Sequence, residues 1–527
     1  MEEIKVRELA EKSSVSATDY ALIEDLDGTK RVLVKHFRSL ILTSLFFNNI
    51  DELKNSSDIS LREGDICETL GYYVPGDGGG AKYKITYNPT AVEDGKLVHY
   101  LSYSDTLRAE LVQGCKINVH QFGAVGDGKH DDTDAIQAAI DHSDTKVIEF
   151  NNNMKYVTRD TLVINKSNTI LNGNGSIIYP HYADGIKISP KEDIDSPIHN
   201  VIINDLHFDC SKAFSAIYAY RATKVDINES YIDNITTKGI NLKNCTFVNI
   251  DKCMFNGSNS TNSSILLEGI DADNSPATTC RVININNNKF KNFQRAINIM
   301  SNTTLPDSNA LINIDNCHYN SDVTEASCIQ VSSPVELINI RANSAKNVYT
   351  FLHFGGASSG NISCRDISCP GVKRIFDIGP SDGILTLTGN ISTDSDAILF
   401  QNMMGKLHSN IIWNLIPSGA SFGNAPIGEL YDGIHPTQYI VGGYSLVNSK
   451  LTLTEVRNIR VDWSSSTNNL NEIVNGVKGQ LLYITSSTNK SIMNVTNKII
   501  LSDSSIALST YKGILLRYDG IKWVQIG

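Results

Sequence analysis

The sequence predicts an all-β protein whose main body is a right-handed, single-stranded parallel β-helix, a solenoid of stacked turns. Three observations lead to this fold class. A strand-like pattern recurs through the middle of the chain, each recurrence places isoleucine five positions before a large apolar residue, and asparagine or aspartate directly follows that isoleucine. Repeats of this kind bury a continuous core by stacking on their neighbours, which is the signature of a solenoid.

Five segments carry the repeat most clearly. The intervals between their isoleucines are 24, 23, 35 and 29 residues, which is typical of solenoid turns with inserted loops. Apolar and polar residues alternate with a period of two, so each segment is expected to be a strand. We also expect the asparagines at the bends to stack into hydrogen-bonded ladders. The segments are 203–208, 227–232, 250–255, 285–290 and 314–319.

Composition and charge exclude several classes of function. Of the 527 residues, 41% are hydrophobic and 20% are charged, which is a globular composition. The net charge of −11 and the lack of a basic block argue against nucleic-acid binding. The most apolar run, Ser39–Ile50, is too short to span a bilayer, so no membrane insertion is expected. Acidic residues near the N-terminus do not resemble an export signal, which favours synthesis in the cytoplasm.

The cysteines and histidines do not predict a metal site. The ten cysteines lack the paired spacing of a zinc site, and Cys245, Cys253 and Cys317 lie in strand-like contexts that favour buried free thiols. His353 and His435 have no partner at metal-binding spacing and are expected to make ordinary hydrogen bonds. We therefore expect neither a metal nor another cofactor.

Residues 1–50 are predicted to form a small adaptor. Ala21–Glu24 and Arg31–Val34 are short strand patterns separated by an Asp27-Gly28 turn, which predicts a hairpin. An amphipathic helix is expected over Phe37–Phe47.

Residues 51–117 are predicted to form a second, β-rich module. It contains the glycine loop Gly76–Gly80, which is followed by Ala81-Lys82-Tyr83 instead of the Gly-Lys-Ser/Thr of a phosphate-binding loop. A tight turn before a strand is therefore expected at this loop.

The solenoid is predicted to span residues 118–419 and to begin with the motif at residues 119–141. Gly123, Gly126 and Gly128 permit a sharp backbone path there. Thr133 is expected to cap a helix that lies across the open end of the solenoid, and Asp131-Asp132 is interpreted as turn and cap. Residues 420–527 are predicted to form a β-sandwich-like domain. Its expected strands are 479–485, 498–501, 513–518 and 522–526.

Four segments resemble bacteriophage tailspike and receptor-binding proteins with a pectate-lyase-like right-handed β-helix. They are the attachment-like segment 3–42, the glycine block GDGGGAKYKI, residues 118–141 (NVHQFGAVGDGKHDDTDAIQAAID) and the ending KGILLRYDGIKWVQIG. The resemblance implies a homotrimer located in the virion. Its N-terminus would join other tail or baseplate proteins, and the C-terminal domain would trimerise the chain or bind glycan. The implied partner is bacterial capsular or cell-wall polysaccharide.

The resemblance leaves the activity open. Many relatives cleave polysaccharide, as hydrolases or lyases, whereas others only adhere to it. The Gly-His-Gly pattern of galacturonase-like β-helices does not occur in this chain. We favour a depolymerase, with a non-catalytic adhesin as the alternative and a purely structural tail protein as a third possibility.

The repeat register also predicts a catalytic face. If Phe208 and Ile232 point inward, their neighbours form outward rows, in which Asp205 would pair with Glu229 and Asp209 with Asp233. Two carboxylates about 5 Å apart suit a retaining glycosidase, and longer diagonal pairs suit an inverting one. The candidate catalytic residues are Asp205, Asp209, Glu229 and Asp233.

Three further residues in the same rows are expected to bind substrate. Tyr231 could stack on a sugar ring, while Lys252 could bind an acidic sugar or, with His207 or Tyr231, serve a lyase. The alternative is that these rows are a solvated surface or a subunit interface. A second acidic cluster, Glu268, Asp271 and Asp273, is expected on a loop, where a solvated role is the simpler interpretation.

Overall fold

The computed structural model confirms an all-β architecture built on a parallel solenoid. It describes residues 20–25, 28–33, 45–56, 61–112, 114–142, 147–192, 196–258, 262–268, 281–300, 311–332, 335–355, 360–378, 384–393, 397–401, 406–410, 440–442, 450–452, 458–462, 469–474, 481–485, 490–493, 498–501, 505–508, 514–519 and 521–525. The chain forms two compact units, residues 1–125 with 134–151 and residues 126–133 with 152–527. No helix in the described ranges has the length and apolar character needed to cross a membrane.

The first unit contains the predicted hairpin and a five-stranded sheet. Tyr20–Asp25 pairs antiparallel with Gly28–Leu33, which confirms the hairpin. The predicted helix over Phe37–Phe47 is wrong at its end, because Leu45–Phe47 is a strand that pairs with Ile66–Thr69. This pairing partner lies outside the local pattern that suggested a helix. The rest of the predicted helix, residues 37–44, lies outside the described residues. The sheet contains Leu45–Phe47, Ile66–Thr69, Lys82–Tyr87, Ser104–Leu111 and Val98–Leu101, in that order.

The glycine loop is a turn held by a single carboxylate. Asp77 accepts hydrogen bonds from the backbone N–H groups of Tyr72, Tyr73, Val74 and Gly79 at 2.7–3.0 Å. Lys82–Tyr87 follows as a strand. The loop therefore has the predicted role of a tight turn before a strand.

The glycine motif adopts the sharp backbone path expected of it. Gly123, Gly126 and Gly128 have φ values of +88°, +66° and +76°, a region that favours glycine. The first unit also contains the short helix Ile50–Lys54, the 3₁₀ turn Val119–Phe122 and the parallel strands Lys116–Asn118 and Val147–Glu149.

The predicted helix is also present and spans Thr133–Asp141. Thr133 is its first residue, and its backbone N–H donates to Asp131 Oδ1 at 3.1 Å. Asp132 Oδ2 accepts from the Gly126 N–H at 3.2 Å. The expectation that Thr133 precedes and caps the helix is therefore wrong, whereas Asp131 and Asp132 both hold the local backbone as predicted. The position of the helix across the end of the solenoid stays a prediction.

In the second unit, each turn of the solenoid contributes strands to two parallel sheets. The isoleucine positions are register partners from turn to turn, Ile203 with Ile227, Ile227 with Ile250, and onward to Ile285 and Ile314. All five side chains are fully buried. The predicted repeat is therefore the core of the solenoid.

The large apolar positions form a second buried column beside the isoleucines. Phe208 pairs with Ile232, Ile232 with Phe255, and Phe255 with Phe290. The ring centroids of Phe255 and Phe290 lie 4.9 Å apart, and those of Phe290 and Tyr319 lie 5.1 Å apart, with nearly parallel planes. Stacked rings thus fill the core across three turns.

The two solenoid sheets account for most strands of the second unit. The longer sheet contains Asp127–Asp131, Lys155–Thr158, Thr169–Pro180, Val201–Asp209, Lys224–Asn228, Tyr231–Ile235, Phe247–Asp251, Met254–Gly257, Val282–Asn286, Lys289–Lys291, Leu311–Asp315, His318–Asn320, Leu337–Arg341, Ser344–Lys346, Asn361–Cys369, Ile384–Thr393 and Lys406–Asn410. The ten-stranded sheet contains Leu162–Ile164, Ile186–Ile188, Ile217–Tyr220, Lys238–Lys243, Ser263–Glu268, Arg295–Met300, Ser327–Val331, Thr350–Phe354, Arg374–Ile378 and Ile398–Gln401.

Asparagine ladders run along the bends and strands, as predicted. Asn228 donates from Nδ2 to Asn204 Oδ1 at 3.0 Å, and Asn204 donates in the same way to Asn172 at 3.1 Å. A further asparagine, Asn343, is buried and donates to the carbonyls of Ile314 and Arg341. These side chains satisfy polar groups that stacking of the turns leaves without strand partners.

The C-terminal part of the chain is β-rich, and the strand pattern predicted there is confirmed. Its described residues share a core that includes Leu482, Ile484, Leu516 and Trp523. The strands are Ile440–Gly442, Asn458–Asp462, Leu481–Thr485, Ile514–Tyr518, Trp523–Gln525 and Ile499–Ile500 in one sheet, Lys450–Thr452 with Glu472–Val474, and Asn469–Leu470 with Lys490–Met493 and Ser505–Leu508.

The cysteines that the structure describes are free thiols. Cys115 is exposed and the other eight are buried, including Cys245, Cys253 and Cys317. Burial raises the pKa of Cys253 and of Cys317 to about 12. The prediction of buried free thiols is therefore confirmed for Cys245, Cys253 and Cys317.

Candidate functional site

The candidate face lies on the longer sheet, where each turn bends between its first and second strands. The residue at the bend has a positive φ in successive turns, so the strand does not run straight through it. The prediction of outward rows had assumed a straight strand. Inward and outward burial nevertheless alternates on both sides of the bend. The bend positions are Asp205, Glu229, Lys252, Asn287, Asn316, Ala342 and Asp366.

Asp205 and Glu229 occupy this bend, and each has its own basic partner. The Lys252 ammonium donates to Glu229 Oε1 at 3.0 Å, and both side chains are 59% exposed. Asp205 Oδ1 lies 3.3 Å from His207 Nε2. The lysine that could have bound an acidic sugar is therefore already paired with a carboxylate.

Asp209 and Asp233 are direct register partners on adjacent parallel strands. Neighbouring strands lie about 4.8 Å apart, so the two residues stack along the solenoid. Both side chains are half-buried on the outer surface, while Phe208 and Ile232 beside them point into the core. The structure thus brings together the second predicted carboxylate pair.

Asp233 is held in place by its neighbours. Its Oδ1 accepts a hydrogen bond from Asn256 Nδ2 at 2.6 Å and another from the backbone N–H of Asn234 at 2.9 Å. Asp209 Oδ1 accepts from the Ser211 N–H at 3.0 Å. A carboxylate oriented in this way is suited to a fixed role in chemistry at the surface.

The aromatic members of the face sit beside the pair. The rings of His207 and Tyr231 meet edge to face, with centroids 6.1 Å apart. Partial burial raises the pKa of the Tyr231 hydroxyl, and the charge of Asp233 acts in the same direction. The tyrosine therefore keeps its proton at neutral pH and can act as a hydrogen-bond donor.

Two exposed lysines extend the face and were missed by the sequence interpretation. Lys289 is the register partner of Met254, and Lys291 is the partner of Asn256. No described residue forms an ion pair with either lysine. The signal lies in the sequence itself, because Lys289 and Lys291 flank the inward-pointing Phe290 of the repeat and therefore face outward.

The other predicted positions fall in different surroundings. Glu268 ends the strand Ser263–Glu268 and is paired with Lys238 at 3.0 Å, while Asp271, Asp273 and His435 lie outside the described residues. His353 Nδ1 lies 3.3 Å from Asp377 Oδ2, which is 24 residues later and one turn along. The ordinary hydrogen bond expected of His353 is therefore present. Among the described side chains, no group of three or more His, Cys, Asp or Glu is arranged to hold a metal ion.

Solved structures with related architecture include phage and bacterial surface proteins. No protein-family model matches the sequence, and no curated protein sequence matches it significantly. The Acinetobacter phage vb_AbaP_AS12 gp42 tailspike is similar with a TM-score of 0.48 and 10% identity, over 92% of this chain and 94% of that one. A tailspike protein, gp49, from Acinetobacter baumannii bacteriophage Fri1, a capsular polysaccharide depolymerase, gives 0.45 and 13%, over 74% and 75%.

The surface adhesin PfbA of Streptococcus pneumoniae is similar to a comparable degree. Its TM-score is 0.42 at 13% identity, over 78% of this chain and 98% of that one. Because these TM-scores are all below 0.5, the assignment of this chain to the parallel β-solenoid class depends on the strand register and the buried core of the chain itself.

Proposed function

We propose that the protein binds bacterial surface polysaccharide along the outer face of the solenoid and cleaves a glycosidic bond at Asp209 and Asp233. The observation that carries the proposal is the stacking of these two carboxylates on adjacent strands, with Tyr231 beside them. Retaining glycosidases use two carboxyl groups about 5–5.5 Å apart, which is close to the spacing of neighbouring strands.

The surroundings of the two aspartates support different roles. Asp233 receives hydrogen bonds from Asn256 and from the backbone of Asn234, so we assign it as the oriented nucleophile or base. Asp209 then serves as the acid that protonates the leaving oxygen. Tyr231 and His207 line the same surface and are assigned to substrate binding.

The electrostatics of the face favour an acidic substrate chain. Lys289 and Lys291 project from the turn beyond Asn256 and supply positive charge in a protein of net charge −11. A polysaccharide with carboxylate groups would gain charge-assisted contacts there. Lys252 contributes less, because Glu229 already neutralises it.

The test is incubation with polysaccharides purified from a panel of encapsulated bacteria, followed by measurement of new reducing ends and unsaturated uronate. Asp233→Asn is expected to lower kcat at least about 100-fold, the typical contribution of a positioned acid or base, while binding persists. Glu229→Gln is the matched control and should keep activity within about threefold, since its carboxylate is exposed and paired. Full activity in Asp233→Asn would remove the residue assignment.

A non-catalytic adhesin is the second candidate. It is favoured by the basic partners of Asp205 and Glu229, which make these two carboxylates less suited to catalysis and leave one candidate pair instead of two. Tight polysaccharide binding by the wild-type protein without either cleavage signal would establish this alternative. The same face would then act only in recognition.

The resemblance of residues 118–141 to tailspike proteins supports a further part of the proposal. We assign residues 1–50 to attachment to other tail or baseplate proteins, 51–117 to a connecting module, 118–419 to the solenoid and 420–527 to trimerisation or glycan binding. The protein would then be a homotrimer in the virion, and antibody labelling of virions is expected to place it on the tail.

A further inference from the structure

A cavity of about 370 Å³ lies on the solenoid surface where three successive turns pass from the second to the third strand. Its walls include Asp322 and Glu325 from one turn, Asn347 and Tyr349 from the next, and Lys373 from the third. This volume falls in the range of small-molecule sites. The position is distinct from the Asp209 and Asp233 face, and no sequence motif marks it.

The charged walls of the cavity are not neutralised by the protein. Within the described chain, the side chains of Asp322, Glu325 and Lys373 form no ion pair and no hydrogen bond. Glu229 and Lys252, each 59% exposed, instead form an ion pair with each other. A ligand anion would be repelled by the two carboxylates, and a cation would meet the lysine. Hydroxyl groups both donate and accept, so a hydroxyl-rich ligand suits both signs of charge.

The aromatic wall is fixed before any ligand arrives. The guanidinium of Arg374 lies 4.6 Å from the centroid of the Tyr349 ring, and the ammonium of Lys373 lies 5.5 Å from it. Tyr349 and Lys373 both line the cavity, whereas Arg374 does not. Its NH1 lies 3.6 Å from Asp377 Oδ2, a residue only 6% exposed. The ring is therefore contacted by two cationic side chains, one of which lines the cavity with it.

We propose that this cavity binds one pyranose residue of the polysaccharide, with Tyr349 against the apolar face of the sugar. Asp322 and Glu325 accept hydrogen bonds from its hydroxyl groups, and Lys373 donates to a ring or hydroxyl oxygen. The assignment rests on the proposed polysaccharide-binding function and adds a site to it. The strand ending at Asn320, just before the cavity, is three strands from that of Asp233, about 14 Å at the usual spacing, so one glycan chain can reach both.

The test compares binding of purified capsular polysaccharides to wild-type protein, Tyr349→Ala and Tyr349→Phe by surface plasmon resonance. Tyr349→Ala is expected to raise the Kd at least tenfold, while Tyr349→Phe retains most of the affinity because it keeps the ring. Tyr182→Ala is the matched control, since this tyrosine is 75% exposed and lies outside the cavity. It should change the Kd less than twofold.

A second variant tests the same cavity without removing the Tyr349 ring, so the test does not depend on the folding of Tyr349→Ala. Asp322→Asn combined with Glu325→Gln preserves the shape of the cavity and is also expected to raise the Kd at least tenfold. Wild-type affinity in a folded Tyr349→Ala or in the double variant would overturn the site and leave the proposed function standing. Failure of the wild-type protein to bind any polysaccharide of the panel would overturn the function itself.

Discussion

The column of stacked rings in the core offers a direct measure of how the solenoid is held together. Phe290 is 1% exposed and lies between Phe255 and Tyr319, with centroid distances of 4.9 and 5.1 Å. Replacing it with alanine removes the ring and both stacking contacts. The neighbouring turns hold their backbones through parallel strand pairing, so they cannot close fully over the cavity that remains.

The expected cost lies in the upper part of the range for core truncations, because the ring is buried and stacked on two neighbours. Truncation of a buried phenylalanine to alanine costs about 3–5 kcal/mol in protein cores. Each aromatic pair contributes about 0.5–1.5 kcal/mol beyond burial, and Phe290 belongs to two stacked pairs. We therefore expect Phe290→Ala to lower the free energy of unfolding by about 4–5 kcal/mol, near the upper end of the range.

The assay is urea unfolding followed by circular dichroism and fluorescence, with Phe247→Ala as control. Phe247 lies on the same sheet but is 54% exposed, so its loss should change the free energy of unfolding by less than about 0.5 kcal/mol. Equal stability of the two variants would refute the view that the aromatic column stabilises these turns.

Two further predictions concern the glycine loop Gly76–Gly80, which Asp77 holds, and the oligomeric state of the protein. Partial burial acts to raise the pKa of Asp77, but four backbone N–H donors lower it below the ordinary 3.8. The stabilisation it provides is therefore present above pH 3.8 and is lost as the pH falls through the lower folded pKa. In urea unfolding at pH 7, the free energy of unfolding of the wild-type protein should exceed that of Asp77→Asn by about 1–2 kcal/mol. This difference should shrink in acid, and a difference that does not change with pH would contradict the reasoning. In sedimentation, the proposed homotrimer should give three times the chain mass of 57.8 kDa, and a monomer mass would exclude it.

The solenoid core could be predicted from the sequence because its signal is local. Ile227 and Ile232 lie five residues apart within one turn, and the next turn repeats them as Ile250 and Phe255. Period-two alternation fixes which of these side chains point inward, and the turn-to-turn interval fixes which of them stack. The pairing of Asp209 with Asp233 follows from the same register.

The surroundings of the site could not be predicted in the same way. A positive φ at Glu229 bends the strand, and the salt bridge to Lys252 depends on how two bends come to face each other. The strand Leu45–Phe47, predicted as the end of a helix, shows the same limit, since its partner at Ile66–Thr69 lies some twenty residues away. Local periodicity carries no information on such contacts.

The sequence by itself therefore determined the strand repeat, the buried columns of isoleucine and aromatic residues, and the stacked pair Asp209 and Asp233. Only the tertiary structure decided which charged side chains are paired and where a cavity opens. The physical reason is that turn lengths vary from 23 to 35 residues. The strands stay in register despite this variation, whereas the corners, where Tyr349 and Lys373 meet, are shaped by the path the chain takes between strands.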